Sequence, residues 1–467
     1  MKNKQYSIEN LTIIDAGAEG KAIAKQDGLT IFVEGAVPGD VADVFVFKKK
    51  KNYAEARLTR LITPSPFRIQ PTCKHFGLCG GCKWQMLDYQ QQLLYKQKQV
   101  ADNFQHLGHF EYPSPLPILP SQKQYFYRNK LEFTFSHQRW LSDEDMILQK
   151  EGKPIETRGL GFHIPKKFDK VLDIQQCYLQ PDPSNDIRLK INEFAKNNNL
   201  SFYNLRTHEG LLRNLIIRNS SHNEWMVIVV MTELNQQTKA LLDFLSDEFP
   251  QITSLQYVIN QKLNDSITDL PVNLYKGKSF IMEQMGDLKF KVGPVSFYQT
   301  NTEQAFRLYS VAKEFAQITP QDTVYDLYTG TGTIANFVAS EAKKVIGIEY
   351  VESAIEDAKV NSEINQISNT EFFAGDMAKV LTPDFVRQHG KADIVITDPP
   401  RSGMHPDVVE QLIQMSPKRI VYVSCNPATQ ARDLTTLCEH YQISKIQPVD
   451  MFPQTHHVEN VVLLEKK

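Results

Sequence analysis

The chain has 467 residues, 41% hydrophobic and 23% charged, an ordinary globular composition with room for roughly two to four domains and several buried cores. A net charge of −2 excludes a uniformly basic nucleic-acid binder but not local patches, and residues 41–75 hold eight Lys or Arg against two acids. No run of about 18 apolar residues and no apolar segment behind a basic start occurs, so neither a membrane span nor a signal peptide is expected, and the cytoplasm is the expected location.

Residues 5–62 read as a small β-barrel. Short strands such as Leu29-Thr-Ile-Phe-Val33 and Val41-Ala-Asp-Val-Phe-Val-Phe47 are punctuated by Gly17, Gly20, Gly28, Gly35 and Pro38-Gly39. Lys48-Lys-Lys-Lys51, Tyr53, Arg57 and Arg60 suit the basic face on which oligonucleotide-binding barrels carry single strands, while a solvated hairpin tip explains the lysine run equally well. This unit, taken as residues 1–65, resembles the TRAM domain attached to many RNA-modifying enzymes, and the resemblance implies RNA binding.

The cysteines are Cys73, Cys79, Cys82, Cys177, Cys425 and Cys438. Three of them cluster in Cys73-Lys-His-Phe-Gly-Leu-Cys-Gly-Gly-Cys82, where Gly77, Gly80 and Gly81 let a loop fold around an ion or cluster. In a chain without a secretion signal this reads as metal ligation rather than disulfides, with iron and zinc both acceptable to thiolates. Cys438 is assigned to a helical core position. Residues 87–107 form a helix, and Pro113, Pro115, Pro117 and Pro120 an extended linker. The middle unit, residues 66–285, is sheet-rich. Tyr125-Phe-Tyr-Arg-Asn-Lys-Leu-Glu-Phe-Thr-Phe135 alternates, with Leu131, Phe133 and Phe135 facing a core and Arg128, Lys130 and Glu132 outward. Arg128 and Lys130 are thereby candidate RNA contacts.

Residues 286–467 read as a third unit. A helix capped by Asn301 or Thr302 runs through Tyr309 to Phe315. Strands then recur at 323–328, 344–349, 370–373, 392–397, 419–424 and 460–464 with helical stretches between, the pattern of a doubly wound, mostly parallel sheet whose active-site loops share one edge. Val324-Tyr-Asp-Leu-Tyr-Thr-Gly-Thr-Gly-Thr-Ile334 is a strand running into a glycine turn, and Glu349 closes the next strand 19 residues beyond Gly330, the spacing of an acid that holds ribose hydroxyls. The acid Asp326, this short glycine loop and Glu349 resemble the S-adenosylmethionine-dependent methyltransferases. Ile394-Val-Ile-Thr-Asp-Pro-Pro-Arg401 ends another strand in a rigid loop that projects Asp398, with Arg401 where amine methyltransferases carry an aromatic. Val421-Tyr-Val-Ser-Cys-Asn-Pro427 places Cys425 at a third strand end.

Asp-Pro-Pro-Arg, then Ser424-Cys-Asn-Pro427, then His457-Val-Glu459 resemble the RNA uracil-5-methyltransferase family, in its branch acting on 23S ribosomal RNA, over nearly the whole chain. The resemblance implies an α/β Rossmann-like methyltransferase domain preceded by a small OB-like β-barrel and an iron–sulfur middle domain. It implies S-adenosylmethionine as donor and a 4Fe-4S cluster on Cys73, Cys79, Cys82 and Cys177. It assigns Cys425 as nucleophile on carbon 6 of the uracil and Glu459 as the base that removes the carbon 5 proton. Asp398 would hold the base edge or the donor, Gln299, Tyr328, Gly330, Glu349 and Asp376 would bind the donor, and Phe297 would lie beside the target base. A monomer acting on RNA is expected. The alternatives are a tRNA substrate, or an iron–sulfur RNA-binding or redox protein on an inert methyltransferase fold.

Overall fold

The computed structural model describes residues 5–467, so the first four residues of the expected barrel unit lie outside it. The chain opens with β1 (Tyr6–Ala16), β2 (Ala22–Gln26), β3 (Leu29–Glu34), β4 (Val41–Lys49) and β5 (Tyr53–Thr63), closed into a barrel in the order β1-β2-β3-β5-β4. Alternation buries Ile31, Val33, Val44, Val46, Ala54 and Ala56 inside it. The basic face is narrower than its sequence implies. Lys48 donates to Glu55 across the β4/β5 pair at 2.5 Å and Arg60 pairs with Asp43 at 2.8 Å, which leaves Lys50 and Lys51 exposed beyond the end of β4.

The middle of the chain forms a sheet in the order β12-β11-β10-β9-β6-β7-β8. Its strands are β6 (Lys130–Ser136), β7 (Gly159–His163), β8 (Val171–Leu172), β9 (Leu212–Asn219), β10 (Trp225–Met231), β11 (Ile252–Ile259) and β12 (Val272–Gly277). Leu131, Phe133 and Phe135 are buried as their alternation requires. The strand expected to begin at Tyr125 begins only at Lys130. Phe126 has φ +55°, and the amides of Phe126 and Arg128 donate to Tyr178 and Leu179 while that of Asn129 donates to Thr300. Backbone bonds to two distant segments override the local pattern there.

A hairpin, β13 (Ile281–Met285) and β14 (Leu288–Val292), precedes the last sheet. That sheet holds β15 (Thr323–Leu327), β16 (Lys344–Glu349), β17 (Thr370–Ala374), β18 (Ile394–Thr397), β19 (Arg419–Ser424), β20 (Tyr441–Val449) and β21 (Glu459–Lys466), in the order β17-β16-β15-β18-β19-β21-β20. The first five are mutually parallel, and β21 runs antiparallel to both of its neighbours, β19 and β20. Strand β20 is an addition to the expected set. Gln442, Lys445 and Pro448 obscure it, and as an edge strand it tolerates the proline. The helix Tyr89–Leu107, N-capped by Asp88, lays Val100 and Phe104 into the core under Tyr422 and Leu434, on one face of this sheet. Among the described residues no helix is long and apolar enough to cross a membrane.

Candidate active site at the carboxyl edge of the last sheet

Parallel strands deliver the loops that follow them to one edge, so Tyr328, Glu349, Asp376, Asp398 and Cys425 share it. Glu459 reaches the same edge from the opposite direction, as the first residue of antiparallel β21. The pair Ser424↔Asn460 closes the β19/β21 register, and one further step sets Cys425 opposite Glu459. Residues 34 positions apart in sequence thus become neighbours across a strand pair.

On the β15 and β16 side the backbone makes a tight turn, with φ +65° at Tyr328, +55° at Gly330 and +74° at Gly332. A Cβ at Gly332 would stand 2.9 Å from that of Ala358, so glycine is required there for packing as well as for conformation. Glu349 accepts from the amides of Gly330 (3.2 Å) and Val351 (3.0 Å), fixing its carboxylate over the turn with acceptor capacity left for hydroxyls. Asp376 caps the helix Met377–Val380 and accepts from Ala378 at 3.1 Å. Asp326 is fully buried; one oxygen accepts from Thr329 and the other has no partner among the described residues. Burial pushes its carboxyl up to about 7. The backbone carbonyl of Gln299 accepts from Asn129 at 2.9 Å, which fastens the middle sheet to this edge, and Phe297 stands 69% exposed two residues earlier. Behind them Tyr309 is buried, its hydroxyl pushed well up by burial and by the negative charge of Asp398. In the sequence Tyr309 looked like any apolar helix position, and no signal there marks it.

The centre of the edge is proton-rich. Burial, then the charge of Asp398, pushes Glu459 up to about 8 against the pull of Arg401. Burial alone pushes Asp398 up to about 7. The Cys425 thiol is pushed up to about 11 by burial, then by Glu459 and Asp398, with Arg401 again opposing. Arg401 is exposed, and its Nη2 donates toward the ring of His457 at 3.4 Å. That ring is neutral at physiological pH because burial pulls it down to about 3.

These shifts carry a stability cost of known sign. A carboxyl raised from 4.5 to about 8 contributes stability that is complete at low pH and lost as pH rises through the folded value. We expect Glu459→Gln to match wild type near pH 4 and to exceed it by roughly 2–4 kcal/mol at pH 8.5. Urea unfolding at the two pH values checks this, and a gap that does not widen with pH refutes it.

Away from this edge, Cys73, Cys79, Cys82 and Cys177 line one cavity of about 210 Å³, walled also by Leu131, Phe162 and Leu179. Burial pushes Cys82 up to about 11 and Cys177 up to about 12, and the neighbouring thiols add to both. Among the described residues no three His, Cys, Asp or Glu side chains converge on a single metal ion. Arg128 lines the same cavity, its guanidinium 5.3 Å from the Phe452 ring centroid, and does not share the outward face with Lys130, which opens β6. Cys438 lies apart from all of these, half-buried at the carboxyl cap of the helix Pro427–Leu437.

The model of the tRNA (Uracil-5-)-methyltransferase family matches residues 276–467, and that of the TRAM domain matches residues 4–59. An uncharacterized RNA methyltransferase of Bacteroides thetaiotaomicron is 58% identical over 96% of this chain and 99% of its own length. One of Porphyromonas gingivalis is 53% identical over 97% and 99%. Among solved structures, the Pyrococcus abyssi tRNA (uracil-54, C5)-methyltransferase in complex with S-adenosyl-L-homocysteine superposes with a TM-score of 0.74 at 29% identity, covering 97% of this chain and all of that one. Identity of this extent, over a fold whose loops converge on one carboxyl edge, leaves a single assignment: the chain belongs to the S-adenosylmethionine-dependent RNA uracil-5-methyltransferase family.

Proposed function

We propose that the protein methylates carbon 5 of a specific uridine in 23S ribosomal RNA through a covalent adduct to Cys425. The observation that carries this reading is Cys425 facing Glu459 across the β19/β21 pair, a nucleophile and a base on opposite walls of one site. Carbon 5 of uracil is a weak nucleophile until a thiolate adds to carbon 6 and turns the ring into an enolate. Cys425 makes that carbon 6–sulfur bond, and carbon 5 then takes the methyl group. Glu459 removes the carbon 5 proton, the carbon 6–sulfur bond breaks, and Cys425 leaves as thiolate. Asp398, held by Pro399 and Pro400, orients the base edge, and Phe297 lies against the flipped ring. When bound, S-adenosylmethionine supplies an electrophilic methyl group; Gln299, Tyr328, Gly330, Glu349 and Asp376 would hold it. Arg128 and Lys130 are assigned to RNA, and the activity to a cytoplasmic monomer.

The four-cysteine cavity suits a 4Fe-4S cluster better than one zinc ion. Zinc draws its sulfurs to about 2.3 Å from one point, whereas a cluster spreads its thiolates over separate irons. Cys73, Cys79, Cys82 and Cys177 would hold it, joining the loop at 73–82 to the segment that follows β8. Cys177→Ser is expected to lose iron and sulfide together and to lower the thermal midpoint by roughly 5–10 °C. Stoichiometric zinc without sulfide in the wild-type protein overturns the assignment.

A specific observation favours tRNA as the second reading. The Pyrococcus abyssi tRNA enzyme aligns over 97% of this chain, so an N-terminal barrel does not by itself select ribosomal RNA. Mapping 5-methyluridine in both RNAs from a deletion strain separates the two. Loss at a 23S uridine supports the proposal, loss in tRNA alone moves the substrate, and no loss in either refutes the activity.

A further inference from the structure

Between β20 and β21 the chain runs through residues 450–458 as a strap gripped by four other parts of the molecule. Asp450, fully buried, accepts from Lys96 Nζ (2.5 Å) and from the Tyr89 hydroxyl (2.7 Å), both on the helix Tyr89–Leu107. Asn301 Nδ2 donates to the carbonyl of Met451 (2.9 Å) and the Tyr127 hydroxyl to that of Pro453 (3.0 Å). The tightest grip is on Gln454. Its carbonyl accepts from the amides of Lys83 (2.8 Å) and Trp84 (3.0 Å), the two residues directly after Cys82. Its own amide donates to Gln92 Oε1 (3.0 Å), and its side-chain oxygen accepts from Gln92 Nε2 (3.0 Å). Gln454 is 2% exposed and has φ +66°, a conformation that side chains other than glycine rarely adopt. Such a backbone persists only where its surroundings over-determine it, and here they do from every side.

The strap joins two sites. At Gln454 it is bonded to the cysteine loop, and Thr455 lines the four-cysteine cavity. Five residues past Gln454 it delivers Glu459 to the first position of β21, opposite Cys425. We infer that Gln454 is a positioning residue: locked between Gln92 and the amides that follow Cys82, it sets where the Glu459 carboxyl stands, so that proton removal depends on the integrity of the cysteine loop. The inference rests on the proposed role of Glu459. A base displaced by an ångström loses most of its rate, while adduct formation by Cys425, which hangs from β19, is untouched.

The test uses the full-length enzyme with Gln92→Leu and Gln454→Gly. Glycine takes φ +66° freely and keeps the bonds from Lys83 and Trp84, so the second variant folds even if the first does not. Three quantities are read: the rate of adduct formation on 5-fluorouridine RNA, the rate at which the transient adduct on ordinary RNA resolves, and amide exchange at residues 458–460. Expected are adduct formation within about twofold of wild type, resolution slowed about 10- to 100-fold, and faster exchange. Equal slowing of both steps reduces Gln454 to a general structural role, and unchanged resolution and exchange in Gln454→Gly overturn the inference. Glu459→Gln runs alongside. Its free turnover sinks the base assignment, whereas its stalling beside a freely resolving Gln454→Gly sinks the strap alone.

Discussion

Cys425→Ala abolishes methylation, with a loss of about 10⁵-fold or more, and abolishes every covalent RNA–protein species with it. The size follows from the chemistry: without addition at carbon 6 there is no enolate, and carbon 5 has no means of attacking a methyl group. Geometry makes the loss specific to this cysteine. Cys425 is half-buried at the end of β19 among Glu459, Asp398 and Arg401, whereas Cys438 caps a helix elsewhere and the other four line a separate cavity. Cys438→Ala therefore retains full activity. A thiol held at about 11 is mostly protonated at neutral pH, so kcat/KM of the wild-type enzyme rises with pH between about 6 and 9. Arg401 opposes the rise in the thiol, and Arg401→Gln lowers kcat/KM further at every pH in that range. The check is a denaturing gel of labelled 5-fluorouridine RNA incubated with donor and enzyme. A persistent shifted band in Cys425→Ala moves the nucleophile to another cysteine.

What the sequence showed of this site, it showed through strand ends. β-branched runs closing on Asp398, Cys425 and Glu349 announce parallel strands, and parallel strands must bring their exits to one edge, so proximity follows without coordinates. Glu459 was legible only by family resemblance, because an acid ahead of a terminal strand reads as surface, and its burial depends on β20, which Pro448 and its polar neighbours conceal. The bend at Phe126 was illegible for a related reason. Residues 125–135 alternate as a strand should, yet residues 126–129 bond to segments 51 and 171 positions away, between Arg128 and Leu179 and between Asn129 and Thr300. That bend turns Arg128 toward the cysteine cavity. The lysine run misled in the other direction, because a count of charges includes Glu55 but does not show that it pairs with Lys48. The ion pair of Lys96 with Asp450 spans 354 positions with both partners fully buried, and no local pattern encodes such a contact.

Glu459→Gln forms the adduct, transfers the methyl group and then stops with RNA attached. In the proposed mechanism the base acts only after methylation, so its loss leaves the first bond-forming steps intact and blocks the last. Glutamine keeps the size of the side chain and its place opposite Cys425 while removing the carboxylate to which the proposed mechanism gives the carbon 5 proton. Turnover falls by about 10³-fold or more, yet a single round of methyl incorporation survives. Wild-type enzyme on 5-fluorouridine RNA reproduces the same arrested species, because carbon 5 then carries fluorine in place of the proton. The two arrests differ in one respect that tests the assignment. The fluorinated adduct is insensitive to pH, whereas in wild-type enzyme on ordinary RNA the resolution step slows as pH falls below the value near 8 at which the resting Glu459 ionises. The sign is fixed by the role: a base must be deprotonated to act, and the pull of Arg401 already counts in that value. Rapid-quench gels across pH 6 to 9, with labelled methyl donor and labelled RNA run in parallel, give both quantities. Release of methylated RNA by Glu459→Gln at the wild-type rate removes Glu459 from the base role and leaves Asp398, just past β18 and pushed up to about 7, as the carboxyl to examine next.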